Sequence, residues 1–254
     1  MLRYIDTHAH LTSDELYEDI DALLNRAEKE GMRAAINICT EEEQLTLSSH
    51  LESRFPHTIF SAAGVHPHDA DKQTPFFSTI AKSTDKLVAI GETGLDYHYS
   101  FATKKGQQDS LLEHVALAKT SSKPLIIHCR EAFSDLFCLV PQDMPAVVHC
   151  FTGSMEEAKK SLDCNWMLSF SGVLTFKKSE ELRNIARYVP LERMLIETDA
   201  PYLAPQTKRG KRNEPSFLPE TLLALSAIKG LSSEITATTL YHNSIRFFSL
   251  PLET

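Results

Sequence analysis

The chain has 254 residues, of which 42% are hydrophobic and 24% charged, with 9 glycines, 12 prolines and 5 cysteines. That composition excludes intrinsic disorder, a collagen-like repeat and a disulfide-stapled mini-domain, and leaves a globular protein with a sizeable core. The net charge of -8 gives no general attraction to polyanions, so any phosphate contact has to be local.

The opening MLRYIDTHAH lacks the apolar stretch of a secretion signal, and no later apolar run approaches a membrane span. A cytoplasmic protein without membrane contact is therefore expected. Short runs rich in Ile, Val, Leu and Ala recur along the chain and predict eight strands, at residues 3–7, 33–39, 58–65, 86–92, 124–128, 146–149, 166–170 and 193–197. Most are continuously apolar (LVAIG, PLIIH, AVVH, MLIE), as strands buried on both faces of a parallel sheet must be.

Amphipathic stretches lie between them. A first helix is expected over 13–30, with Ser13 as N-cap, acidic residues in the first turn and Gly31 as the stop. Further helices are expected at 41–54, 106–119, 154–163 and 178–188, with the last ones within 214–250. Eight strands alternating with helices in about 250 residues match a (β/α)8 TIM barrel better than an open doubly wound sheet. No GxGxxG or Walker A pattern, linker or repeat divides the chain, so residues 1–254 are expected to form one domain, with no obligate protein partner legible.

The strand ends carry the chemistry. His8 and His10 follow the first strand and His66 and His68 the third; Glu92 ends the fourth, His128 the fifth and His149 the sixth, and the eighth runs into Asp199. In a barrel these ends share one mouth. Taken singly, each such histidine is an ordinary hydrogen-bonded side chain. Together, His8, His10, His128, His149, Glu92 and Asp199 are donors of the type that holds divalent metals, and six suit two ions bridged by a carboxylate.

Period-two alternation puts His8 and His10 on one face, and it turns Cys129 and Cys150 away from the mouth toward the core. The same alternation gives Glu197 and Asp199 equal parity. Asp199, nearer the mouth, is taken as the ligand that also accepts a water proton, and Glu197 as a buried hydrogen-bonded carboxylate. His50, His57, His98, His114 and His242 lie off the pattern and are taken as structural. The five cysteines show no metal spacing and are read as reduced thiols. The run Lys208 to Arg212 is either solvated surface or a phosphate grip through Arg209, Lys211 and Arg212, with Arg130 as a second clamp.

Seven motifs in order, DTHAHL, GVHPH, GETGLDY, IIHCRE, VHCFTGS, ETDAPYLAP and RGKRNEP, resemble those of the TatD family of metal-dependent deoxyribonucleases, within the amidohydrolase-like superfamily. The resemblance covers nearly the whole chain, and only the stretch YHYSFAT at 97–103 looks atypical for it. It implies a distorted barrel, one divalent ion (Mg, Mn or Zn) among His8, His10, Glu92 and Asp199, and a second among Glu92, His128 and His149. It further implies that His66 contacts the scissile phosphate, that Asp199 helps activate water, and that the activity is hydrolysis of DNA, often from 3' single-stranded ends, in repair or turnover. Two alternatives carried alongside are a bimetal hydrolase of an amide or ester, such as an aminoacyl-tRNA, and a metal-binding protein without catalysis.

Overall fold

The computed structural model describes residues 2–72 and 75–253. Eight strands, β1 (Tyr4–Ala9), β2 (Met32–Cys39), β3 (Ile59–Ala63), β4 (Leu87–Asp96), β5 (Leu125–Arg130), β6 (Ala146–Val148), β7 (Met167–Phe170) and β8 (Met194–Ile196), pair in parallel in sequence order. A single parallel bridge between Ala9 and Ala200 links the two edges and closes a (β/α)8 barrel. Side chains complete the seam: Thr7 Oγ1 donates to the Ile196 carbonyl at 2.9 Å, and the Asp6 carboxylate accepts from the Thr198 hydroxyl at 2.6 Å and its N–H at 2.9 Å.

The helices are α1 (Asp14–Tyr17), α2 (Ile20–Lys29), α3 (Glu42–Arg54), α4 (Phe76–Ser83), α5 (Lys104–Ser121), α6 (Phe133–Leu139), α7 (Met155–Asp163), α8 (Glu180–Tyr188), α9 (Leu218–Lys229) and α10 (Ser233–Phe248). None is long and apolar enough to cross a membrane. The barrel interior is filled from alternating positions, among them Ile5, Ala34, Ile36, Ile38, Ala62, Ala89, Ile126, Val147, Met167 and Leu195. Tyr241, Ile245 and Phe248 of α10, with Leu250, pack onto this set. A second apolar layer lies between strands and helices, so the strands are buried on both faces, as their continuously apolar sequences require.

Four expectations need correction. The helix expected over 13–30 is two helices, because Glu18 and Asp19 form a turn in which Asp19 leaves helical dihedrals and gives its carboxylate to Arg212. Ser13 precedes α1 but its hydroxyl makes no cap. Helices α4 and α6 escaped the periodicity because eight and seven residues give barely two repeats of a helical pattern.

The fourth strand runs to Asp96 instead of stopping at Glu92, continuing through Gly94, and it holds both Gly91 and Gly94. Both have positive φ, and a Cβ at Gly94 would sit 1.9 Å from the His128 carbonyl oxygen. Glycine is needed there for β4 to lie close against β5.

Candidate metal centre

The C-terminal strand ends bring residues almost 200 positions apart into one cluster. Glu92, 3% exposed, stands at its middle. Its Oε2 lies 3.4 Å from His8 Nε2 and 3.7 Å from His10 Nε2. Its Oε1 lies 2.8 Å from His149 Nε2, 3.0 Å from His128 Nδ1 and 3.5 Å from His66 Nε2. Asp199 joins the first side, with Oδ1 3.6 Å from His8 Nε2 and 3.7 Å from His10 Nε2. The two oxygens of one carboxylate thus face two separate groups of donors.

The residues fit divalent cations on a direct observation: both ring nitrogens of fully buried His8 lack a hydrogen-bond partner. A buried imidazole left unbonded is costly in an apo protein, whereas ligation satisfies one of its nitrogens. The 3.4–3.7 Å spacings around it are too long for good hydrogen bonds. They are close to the separation of about 3.4 Å between ligand atoms tetrahedrally arranged around a shared cation. Among the described residues three overlapping donor sets could hold an ion: His8, His10 and Glu92; His8, His149 and Glu197; and His66, Glu92 and His128.

Charge is finely balanced in this buried cluster. Burial opposes ionisation of Glu92, but the neighbouring His149 and His66 and hydrogen bonds from His128 and His149 outweigh it and hold the carboxyl well below its ordinary range. Burial likewise opposes charge on Asp199, and the imidazoles of His10, 3.7 Å away, and His8 hold its carboxyl below the ordinary range. Asp6, two residues before His8, goes the other way. Full burial raises its carboxyl to about 7 against the hydrogen bonds from Thr198.

Asp96 is the residue that strand-end reasoning missed. Its Oδ2 lies 3.1 Å from His128 Nε2 and 3.0 Å from His68 Nε2, which leaves His128 Nδ1 directed at Glu92. Glu197 stands on the corresponding side of His149 without bonding it: its Oε1 accepts from the Cys150 N–H at 2.6 Å and lies 3.4 Å from His149 Nδ1, which has no hydrogen-bond partner. The Asp96 carboxylate on the far nitrogen of His128 fixes which nitrogen of that ring faces the centre. Asp96 sits inside GETGLDY, and the signal that would have found it is the strand continuing through Gly94.

Alternation failed beyond the short strands β6 and β8. Cys150 and Asp199 have φ of 41° and 59°, outside extended geometry. Cys150 is therefore not turned away: it lines a cavity of about 460 Å³ with Arg130, Thr152, Asp199 and Tyr202, and its Sγ lies 3.1 Å from Ser171 Oγ. Burial pushes its thiol well up, so it is not a thiolate nucleophile. An adjoining cavity of about 410 Å³ is lined by His10, His66, His68, Glu92, Asp199 and Tyr202. A larger cleft, of about 760 Å³, lies at the opposite end of the barrel near Arg33 and Arg54 and is lined by no histidine.

Of the histidines taken as structural, His114 is fully buried and accepts the Val65 N–H at 3.0 Å, which fixes the chain next to His66. The basic loop divides. Arg212 is paired with Asp19 at 2.8 Å and also bonds the Glu15 carbonyl, so it ties the loop to the α1–α2 turn and its guanidinium is already committed. Arg209 lies over the Phe176 ring at 4.4 Å, Lys211 is exposed, and Arg130 lies 4.9 Å from the Tyr99 ring.

Residues 5–249 match the family model described as TatD related DNase. The chain is 35% identical to the metal-dependent hydrolase YcfH of Escherichia coli K12, across 97% of this chain and 96% of the relative. It is 34% identical to the 3'-5' ssDNA/RNA exonuclease TatD of Pectobacterium carotovorum, across 96% and 99%. Among solved structures, the TatD homologue YJJV of Escherichia coli superimposes with a TM-score of 0.90 at 26% identity, covering 98% of this chain and 99% of that one. A TatD family hydrolase from Entamoeba histolytica gives 0.87 at 28% identity, covering 97% and 98%. A match over nearly the full length makes this chain a member of the TatD-related family of metal-dependent hydrolases.

Proposed function

We propose that the protein hydrolyses phosphodiester bonds of single-stranded nucleic acid, DNA first, from the 3' end, with two divalent cations held across Glu92. The observation that carries this is the division of the Glu92 oxygens between the His8–His10–Asp199 side and the His128–His149 side. The relatives named as ssDNA/RNA exonucleases support the substrate class. A cytoplasmic location and a part in DNA repair or turnover belong to the same proposal.

Cations in that position supply Lewis acidity toward phosphoryl oxygens and acidify water. The chain supplies the rest. Asp199, kept ionised in a buried setting, takes the proton of the attacking water. His66 accepts the His68 N–H at Nδ1, at 3.2 Å, so its Nε2 carries the ring proton; that nitrogen lies 3.5 Å from Glu92 Oε1 at the cavity wall, where it would donate to a phosphate oxygen of bound substrate. Asp96 keeps His128 in register, and Arg130, Arg209 and Lys211 bind flanking phosphates.

The test is a metal-stripped preparation incubated with end-labelled single-stranded DNA, double-stranded DNA and RNA, with Mg, Mn, Zn or none, beside His128→Ala. Metal-dependent shortening from the 3' end that the variant lacks is the expected result. Intact nucleic acid under every condition, with cleavage of an amide or ester panel, would replace this reading with a carbonyl hydrolase.

A further inference from the structure

The loop between β4 and α5 presents two aromatic rings to solvent beside the metal cluster. Phe101 is 67% exposed, more than any other large hydrophobic side chain among the described residues, and Tyr99 is 42% exposed. Their ring centroids are 5.4 Å apart. The exposure is not that of a loose loop. Asp96 Oδ1 accepts the N–H groups of His98 and Tyr99 at 3.0 and 3.1 Å, and the buried Gln107 side chain donates to the carbonyls of Asp96 and Ala102 at 2.9 and 3.2 Å. Thr103 is held by Asp71 and caps α5. The rings are therefore displayed on a pinned backbone, where their hydration cost is not relieved by collapse onto the core.

The rings are joined to the centre. His68, which lines the metal cavity and shares Asp96 with His128, lies 5.4 Å from Tyr99 and 4.8 Å from Phe101, centroid to centroid. On the other side, Tyr99 carries the guanidinium of Arg130, which lines the adjoining cavity. An exposed aromatic face, a cation for phosphate and a hydrolytic centre in immediate succession form the combination that single strands engage, by base stacking and backbone pairing. Two side chains fall far short of the roughly 800 Å² per partner that a standard protein interface buries.

We propose that Tyr99 and Phe101 form a stacking shelf for a nucleobase of the single-stranded substrate, next to the phosphodiester presented to the metal centre. The shelf rests on the nucleic-acid hydrolase reading above. It recognises the π-face of a base and not its hydrogen-bonding edge, so it is indifferent to base identity and sensitive to base presence.

The experiment compares a natural oligonucleotide with one carrying abasic residues at its 3'-terminal positions, using the metal-loaded full chain, Phe101→Ala, the Tyr99→Ala/Phe101→Ala pair and Phe101→Trp. In the wild type, abasic ends lower kcat/KM by about 5- to 100-fold. Phe101→Ala loses a comparable factor on natural ends and little more on abasic ends, and Phe101→Trp restores it. Equal loss on both substrates, or no loss, overturns the shelf while leaving the nuclease standing. Should the wild type cleave neither oligonucleotide, fluorescence anisotropy decides: Phe101-dependent binding of the natural strand keeps the shelf without the nuclease, and binding indifferent to Phe101 or absent removes it. A dimer in gel filtration that Phe101→Ala dissociates also overturns it, in favour of a contact between copies.

Discussion

Asp96 Oδ2 lies 3.1 Å from His128 Nε2, on the side of the imidazole away from Glu92. Burial works against ionisation of this carboxyl, but the hydrogen bonds from His128 and His68 overcome it and hold it below the ordinary range. A carboxylate in this place fixes ring orientation and makes the opposite nitrogen a stronger donor to metal. Asp96→Ala is expected to lower metal affinity or activity by about 10- to 100-fold. Asp96→Asn, which keeps one acceptor oxygen, should lose less. Metal titration of stripped protein would check this, and equal, negligible effects of both variants would remove the positioning role.

Gly94→Ala should be strongly destabilising. The added Cβ would meet the His128 carbonyl oxygen at 1.9 Å, and φ is +147°, a conformation L side chains rarely adopt. Because the obstacle is backbone of β5, relief requires separating two central strands. A loss of at least about 3 kcal/mol is expected in denaturant titration, and a loss below about 1 kcal/mol would show that β4 and β5 tolerate the separation.

His114 contributes a pH dependence of known sign. Full burial depresses its imidazole to about 4 from an ordinary 6.5, with only a partial offset from the Ser110 carbonyl. Between these values the unfolded chain binds the extra proton, so this contribution to stability is complete above about 6.5 and declines as pH falls toward 4. The full span corresponds to about 3 kcal/mol. Asp6, raised to about 7, acts in the opposite sense over an overlapping window, so the comparison must be between wild type and His114→Gln. The variant's stability is expected to fall less between pH 7 and 4.5; parallel curves would contradict the assignment.

The basic loop should separate into two behaviours. Lys211→Ala removes an exposed charge with no tether and is expected to weaken single-stranded DNA binding modestly, reducing the slope of log affinity against log salt by about 0.7. Arg212→Ala breaks the pair with Asp19 and should cost up to about 1 kcal/mol of stability. An unchanged salt slope in Lys211→Ala would assign that lysine to plain solvated surface.

The barrel was legible because eight doubly buried strands have an unmistakable apolar texture, and every strand expected from the sequence is present within a few residues. The convergence of His8, His10, Glu92, His128, His149 and Asp199 followed from barrel geometry alone. What escaped were departures from regular backbone. The strand expected to end at Glu92 continues through Gly94, which hid Asp96. Cys150 and Asp199 sit at positive φ past strands of three residues, so alternation carried no information about where they point. The partnership of Arg212 with Asp19 spans 193 positions, and nothing local in either segment announces it.

In the proposed function Glu92 is the residue shared by the two donor groups that would hold divalent cations. Metal-stripped wild type and Glu92→Gln, each equilibrated by dialysis against Mn or Zn and analysed by atomic emission, test it directly. Two ions per wild-type chain, at most one in the variant, and a fall in hydrolysis of at least about 1000-fold are predicted. One ion or none in the wild type, or two retained in the variant with activity intact, would contradict it.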